Sequence, residues 1–188
     1  MPDQPRVPPV SDAGATPAQL ELMDRLRRPD GTVLNIFRTL ANHADLTRRW
    51  LVFGNHVLSK STLSPRIREL AILRVGWRCG AEYEFGQHVL IARDEGITDD
   101  EIARLQTDDV ATRWADDEAC VLRATDELHR DQHITDTTWA ALCEHYDLEQ
   151  RMDLVFAVGQ YTLVSMALNT FGVERDDGVP GFGGSSDE

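Results

Sequence analysis

Three ionisable residues, Glu69, Glu84 and His88, form the densest set of candidate acid–base groups in this sequence. A histidine titrates near pH 6.5, so it can accept and donate protons at neutral pH. Glu84 and His88 are four residues apart, which places them on one face if the segment is helical. We expect His88 to be the general acid–base and Glu84 to orient its ring or stabilise the imidazolium. Glu69 would supply a second carboxylate, because carboxylates in different environments can take opposite proton-transfer roles.

Two predicted helices must position these groups. Ser64-Pro65 is typical of a helix start, since the serine oxygen can accept from free backbone N–H groups and proline needs no donor in the first turn. The residues that follow are too apolar for an exposed helix, so neighbouring elements should enclose this helix, with Glu69 inside it. A carboxylate in such surroundings needs a partner or a raised pKa. Gly80 is the predicted break, and the second helix should begin at about Ala81.

Five further residues are candidates for contacting a substrate: Arg68, Arg74, Tyr83, Asn55 and His56. Arginine suits the recognition of a carboxylate because its guanidinium presents a planar fork of donors. Asn55 and His56 lie on a predicted helix just before the central segment, so they could line the same pocket. A structural or surface role is the competing interpretation for His56, since it has no spaced acidic or histidine partner.

The central segment carries three short patterns: R-x-R-E-L from Arg66, Y-E-x-x-x-H from Tyr83 and G-I-T-D-x-E-I from Gly96. Together they resemble the carboxymuconolactone decarboxylase family, which includes the AhpD-type alkylhydroperoxidases. The resemblance implies an AhpD-like helical domain that assembles as a homo-oligomer, with a trimer or hexamer favoured and a dimer as the alternative. It also implies a small-molecule substrate.

One departure from the family pattern bears on the reaction. In the peroxidase branch, a C-x-x-C pair precedes the histidine, and the aligned positions here hold Ala81 and Glu84. Without two thiols that form and release a disulfide, the usual peroxide chemistry has no electron carrier. The resemblance therefore implies the decarboxylase-like side of the family: a lyase that uses no cofactor or metal for decarboxylation, C–C cleavage or isomerisation of a small organic acid or lactone.

Three alternatives remain open at this stage. Cys79 could be a lone peroxidatic thiol, with Glu82 or His88 as its proton acceptor. Glu69, Glu84 and His88 could instead bind iron, manganese or zinc as a carboxylate–histidine set. The Glu84–His88 pair could also be an ordinary helix-surface pair, in which case the chain would be a non-catalytic oligomeric binding protein.

Composition excludes some classes of partner. The 188 residues carry a net charge of −13, which disfavours nucleic acid because phosphate binding needs a basic surface. We find no basic leader segment and no uninterrupted apolar run of about 18 residues, so we expect no membrane association and a cytoplasmic location. The three cysteines have neither metal-ligand nor disulfide-framework spacing.

The chain is expected to form a single domain. Its 41% hydrophobic content is enough for one core, and the absence of convincing period-two alternation predicts an all-α fold of about seven or eight helices. We predict a disordered or arm-like N-terminus at residues 1–15, the AhpD-like domain at 16–173 and a flexible acidic tail at 174–188. The last helix, from Leu148, is apolar nearly all round, so it should be buried in the core or at a subunit interface.

Overall fold

The computed structural model describes residues 4–108 and 110–184, except for the side chains of residues 110, 111 and 184. The described chain is helical, with α1 (Pro17–Arg25), α2 (Asn35–Leu40), α3 (Ala44–Ser59), α4 (Pro65–Arg78), α5 (Glu82–Asp94), α6 (Asp99–Leu105), α7 (Asp116–Asp131), α8 (Asp136–His145) and α9 (Leu148–Phe171). Short 3₁₀ turns connect some of these helices, and no strand occurs among the described residues. The all-α prediction is confirmed.

Local capping signals set the start of the helices that carry the site. Ser64 Oγ accepts a hydrogen bond from the backbone N–H of Ile67 at 3.3 Å, and Pro65 is the first residue of α4. Gly80 separates α4 from α5 with a φ of 60°, a left-handed conformation that favours glycine. These signals fix where α4 ends and α5 turns back along it.

Helix α4 lies at the centre of the domain. It packs against α5, α7 and α9, and all ten residues from 67 to 76 are buried. This confirms the prediction that neighbouring helices enclose α4. Side chains of α4 therefore meet those of α5 and α9 in an environment that excludes most water.

Helix α9 is the longest element, and it is apolar enough by length and composition to cross a membrane. Polar residues such as Gln160 and Asn169 interrupt its apolar run. In the structure, α9 packs against α3, α4, α5, α7 and α8, as the core helix of a helical domain does. Its position brings Tyr161 and Ser165 next to α5.

The N-terminal segment lies along its own domain over the described residues 4–15. The backbone N–H of Val7 donates to the carbonyl of Phe171 at 3.1 Å, and that of Val10 donates to the carbonyl of Arg38 at 3.1 Å. These bonds hold the segment against the ends of α9 and α2. Residues 1–3 of the predicted arm lie outside the described residues, and contact with a neighbouring chain stays a prediction.

The predicted flexible tail is packed over the part that the structure describes, residues 174–184. The backbone N–H of Phe182 donates to Glu82 Oε1 at 3.1 Å, and the hydroxyl of Tyr83 donates to Asp176 Oδ2 at 2.6 Å. Val179 is only 7% exposed. The expectation of a mobile tail is corrected for these residues, because the segment supplies both hydrogen-bond partners and apolar contact to α5. Residues 185–188 lie outside the described residues.

Candidate functional site

A buried carboxylate–imidazole pair forms the centre of the candidate site. Glu69 of α4 and His88 of α5 are joined by a contact of 2.6 Å between Oε2 and Nδ1. Glu69 is 0% exposed and His88 is 7% exposed. Because an ionised carboxylate can only accept a hydrogen bond, Nδ1 must donate, which leaves Nε2 as the basic nitrogen of the neutral ring. Nε2 has no hydrogen-bond partner among the described residues, and it is not sealed from solvent.

Two neighbouring basic side chains favour the ionised form of Glu69. Burial by itself would raise the pKa of Glu69, but His88 and Arg68 outweigh it and lower the pKa. The Nε of Arg68 donates to Glu69 Oε1 at 3.1 Å. The terminal nitrogens of Arg68 have no hydrogen-bond partner in the described part of the chain. Arg68 is therefore joined to the pair, and two of its donor groups remain available to a carboxylate.

The predicted role of Glu84 as the residue that orients His88 was wrong. Glu84 is 3% exposed, its Oε2 accepts from Ser165 Oγ at 3.4 Å, and its Oε1 has no partner among the described residues. Burial raises the pKa of Glu84 well above its usual value, which favours the neutral form of this carboxyl. Glu69 takes the orienting role because α4 brings a carboxylate against the ring from another helix.

Tyr161 of α9 is a site residue that the sequence analysis missed. Its ring is 4.8 Å from that of His88 between centroids, at an interplanar angle of 89°. Burial, followed by the nearby charges of Glu69 and Glu84, raises the pKa of the phenol, so Tyr161 stays protonated. It sits in an apolar run of α9, and nothing in its local spacing links it to the central segment.

Arg74 does not belong to the site, which corrects its prediction as a substrate-binding residue. Its Nε and Nη2 donate to the two carboxylate oxygens of Asp126, each at 2.7 Å. Its Nη1 donates to the carbonyls of Leu105 and Thr107, both at 2.7 Å. Arg74 is 0% exposed, so its donors are used to tie α4 to α7 and to the end of α6.

The other predicted substrate contacts lie away from the Glu69–His88 pair. Tyr83 is buried, and its hydroxyl donates to Asp176 while it accepts from the backbone N–H of Ile36 at 3.2 Å. Asn55 and His56 are exposed on α3, and neither is hydrogen-bonded to the pair. Tyr83 thus connects three segments of the fold, whereas a substrate contact by Asn55 or His56 stays a prediction.

The geometry around Cys79 does not match the lone-thiol alternative. Its Sγ is 3.5 Å from Nδ1 of His129, rather than from Glu82 or His88. Burial raises the pKa of the Cys79 thiol, whereas a peroxidatic cysteine needs a lowered one. Likewise, no group of three or more His, Cys, Asp or Glu side chains in the described ranges is arranged to hold a metal ion, so Glu69, Glu84 and His88 do not form the predicted ligand set.

The raised pKa of Glu84 predicts a distinct pH dependence of stability. The pKa of Glu84 is raised in the folded state, whereas in the unfolded chain this carboxyl ionises above about pH 4.3. Ionisation therefore stabilises the unfolded chain first, and the free energy of unfolding decreases as the pH rises. Glu84→Gln removes this effect and keeps the side-chain size. We expect the variant to gain stability over the wild type as the pH rises, by at most about 1.4 kcal/mol per pH unit. Urea unfolding at several pH values between about 5 and 8 measures this difference, and a difference that does not change with pH would contradict it.

Residues 44–127 match the model of the carboxymuconolactone decarboxylase family. This segment spans α3 to most of α7 and contains both members of the Glu69–His88 pair. No curated protein sequence matches the chain.

Several solved structures share the fold. An alkylhydroperoxidase AhpD core protein from Ralstonia eutropha, described as an uncharacterized peroxidase-related protein, has a TM-score of 0.80 at 18% identity and covers 92% of this chain and 93% of its own. An uncharacterized peroxidase-related protein from Silicibacter has a TM-score of 0.78 at 14% identity, with 94% and 96% covered. The debrominase Bmp8 in complex with 2,3,4-tribromopyrrole has a TM-score of 0.70 at 13% identity, with 93% of each chain covered. Residues 44–127 are thus similar to the carboxymuconolactone decarboxylase family, and the chain as a whole has the AhpD-like all-α fold.

Proposed function

We propose that this protein is a cofactor-independent enzyme that moves protons on a small organic acid or lactone, in a decarboxylation, C–C cleavage or isomerisation. The observation that carries the proposal is the buried contact of 2.6 Å between Glu69 and His88. It fixes the ring and directs the free Nε2 away from the carboxylate. An oriented imidazole with one open nitrogen is suited to general acid–base catalysis.

The proposed chemistry uses Nε2 as the proton carrier. In an isomerisation, Nε2 removes a proton from the carbon next to a carbonyl, the C–H electron pair moves into an enolate, and Nε2 returns the proton to another carbon. In a decarboxylation, the carboxylate leaves as CO₂, its bonding electrons form the enolate, and protonated Nε2 then delivers the proton to carbon. Glu69 stabilises the imidazolium in both cases, because it stays ionised beside the ring.

Arg68 supports a substrate that carries a carboxylate. Its Nε is bound to Glu69, and its terminal nitrogens have no hydrogen-bond partner among the described residues. A guanidinium edge of this kind can accept a carboxylate through two parallel hydrogen bonds. Arg68 and His88 Nε2 could then hold an acid by one end and act on the adjacent carbon.

Substrate screening tests the proposed function. We would incubate the wild type and His88→Asn with a panel of small keto, enol and lactone acids, and follow CO₂ release and proton–deuterium exchange at carbon by NMR. Turnover that depends on His88 is the expected result. Turnover that is equal in both proteins would show that the chemistry does not pass through Nε2.

We also propose that copies of the chain cover the apolar surface that a single copy leaves exposed. Large exposed apolar side chains are concentrated on α3 and α9, where Phe53 and Phe156 stack edge to face at 6.0 Å. They include Leu46, Val52, Phe53, Met152, Val155, Phe156, Leu163 and Met166. Apolar surface of this kind is typical of a subunit interface. Sequence resemblance suggests a trimer or hexamer, with a dimer as the alternative.

Introducing a charge on this surface should break the assembly. Phe156 is 53% exposed, so Phe156→Glu should leave the monomer fold intact while placing a carboxylate in the interface, where burial without a partner is costly. We expect the mass by light scattering to fall to that of one chain, 21.1 kDa. Ala140→Glu, at an exposed position on α8, is the matched control and should keep the wild-type mass. A wild type that is already monomeric would refute the proposed assembly.

A further inference from the structure

The hydroxyl of Tyr161 is an open donor on a ring that packs against the imidazole of His88. Tyr161 is 8% exposed, and its ring meets that of His88 at 4.8 Å. The hydroxyl has no hydrogen-bond partner among the described residues. Unlike Glu84 Oε1 and Gln160 Oε1, which are also unpaired, it is not completely shielded from solvent. Both this hydroxyl and His88 Nε2 therefore retain access to solvent, and hence to a small molecule.

A hydroxyl in this position contributes nothing to packing that phenylalanine would not supply. By contrast, the hydroxyl of the buried tyrosine Tyr83 is hydrogen-bonded to Asp176 and to the backbone of Ile36. Tyr161 differs from Tyr83 in that its hydroxyl has no hydrogen-bond acceptor among the described residues. A ligand that enters the site would supply the missing acceptor.

We propose that Tyr161 is a catalytic residue whose hydroxyl donates a hydrogen bond to the oxyanion that forms on the substrate beside His88 Nε2. The inference rests on the proposed function, since it assigns the group that stabilises the enolate oxygen. A preorganised donor aimed at developing charge in a site with little water is among the strongest contributions that a side chain makes to catalysis. Removal of a proton by Nε2 places that charge on the oxygen of the carbonyl group next to the reacting carbon.

The electrostatics around Tyr161 are compatible with an anionic intermediate. Arg68 and Glu69 form an ion pair at 3.1 Å, so their charges largely cancel. Burial favours the neutral form of Glu84, which reduces its repulsion of an oxyanion. The phenol itself stays protonated because burial raises its pKa, which keeps it a donor over the working pH range.

Binding of an enolate mimic tests the assignment. The nitronate anion of 3-nitropropionate carries a carboxylate and a charged oxygen that resembles an enolate, and 4-methylpentanoate has the same shape without that oxygen. We expect Tyr161→Phe to weaken nitronate binding by about tenfold or more in calorimetric titrations, since hydrogen bonds to charged groups are strong. Binding of 4-methylpentanoate should change by less than about twofold, because it offers no acceptor there.

Tyr146→Phe is the matched control, because the hydroxyl of Tyr146 donates to the carbonyl of Asp117 at 3.2 Å, away from His88. It should bind the nitronate as the wild type does. If Tyr161→Phe fails to fold, 3-fluorotyrosine at position 161 replaces it, and this stronger donor should tighten nitronate binding. Equal nitronate affinity in Tyr161→Phe and the wild type would overturn the Tyr161 assignment and leave the proposed function standing. A wild type that binds the nitronate no better than 4-methylpentanoate would overturn both.

Discussion

Replacing His88 with asparagine should reduce turnover of a substrate found in the panel by about 100- to 10,000-fold, the range that a general acid–base residue typically contributes. In the wild type, Glu69 binds His88 Nδ1 at 2.6 Å. The side-chain amide of asparagine keeps a donor that can replace Nδ1 in this contact. It has no counterpart of Nε2, so it can neither remove nor return the proton. The fold should be retained, and kcat with KM measured over a range of pH gives the readout.

Glu69→Gln separates orientation from proton transfer. The amide nitrogen of glutamine can donate to Nδ1, which would move the ring proton to Nε2 and remove the free base. We expect the loss in kcat to approach that of His88→Asn, while the double variant should lose little more, because both changes act on one unit. His133→Asn, at an exposed position, serves as the matched control and should keep wild-type turnover. Independent, multiplicative losses in the double variant would contradict a single Glu69–His88 unit.

The helical framework was predictable because its signals are local. Ser64 caps α4, and Thr98 with Glu101 forms a capping box at the start of α6. Each interaction spans only three residues, so the sequence alone contains both partners. The enclosed character of α4 was predictable as well, since apolar residues occupy too many of its faces for an exposed helix.

The pairing within the site was not predictable because it depends on how the helices pack. Glu84 and His88 share a helix face, as their spacing requires, but the carboxylate that reaches the ring comes from Glu69, 19 positions away. Tyr161 comes from still farther along the chain and resembles its apolar neighbours. A single sequence gives the residue types that a site needs, whereas their partners follow from tertiary contacts.

The prediction that Arg74 binds substrate was wrong for the same reason, because its partners are set by tertiary contacts. Arg68 and Arg74 are both buried on α4, and by residue type each could bind a carboxylate. Only the structure reveals that Asp126 of α7 and two backbone carbonyls occupy the donors of Arg74. Arg74 thus contributes to stability, and it does so through Asp126.

Asp126→Asn should destabilise the fold by about 3 kcal/mol. The change leaves the fully buried guanidinium of Arg74 without its charge partner, and breaking a buried pair typically costs about 3–5 kcal/mol. The lower end of this range applies because the Asp126 side chain is 17% exposed. In addition, the neighbouring Arg78 loses its ion pair with Asp126 but keeps its ion pair with Asp108. The midpoint and slope of urea unfolding at pH 7 measure the effect.

The pH dependence of the Asp126 effect distinguishes charge from packing. Burial by itself would raise the pKa of Asp126, but hydrogen bonds from Arg74 and Arg78 outweigh it and lower the pKa. A lowered folded-state pKa stabilises the protein above the unfolded value, near pH 3.9, and this contribution is lost as the pH falls through the folded-state pKa. The stability difference between the wild type and Asp126→Asn should therefore shrink in acid.

Asp131→Asn, which removes the exposed partner of Arg130, should have no measurable effect at any pH, because solvent screens such a pair. A constant loss from pH 7 into acid would mean that Asp126 acts through shape and hydrogen bonding rather than through its charge.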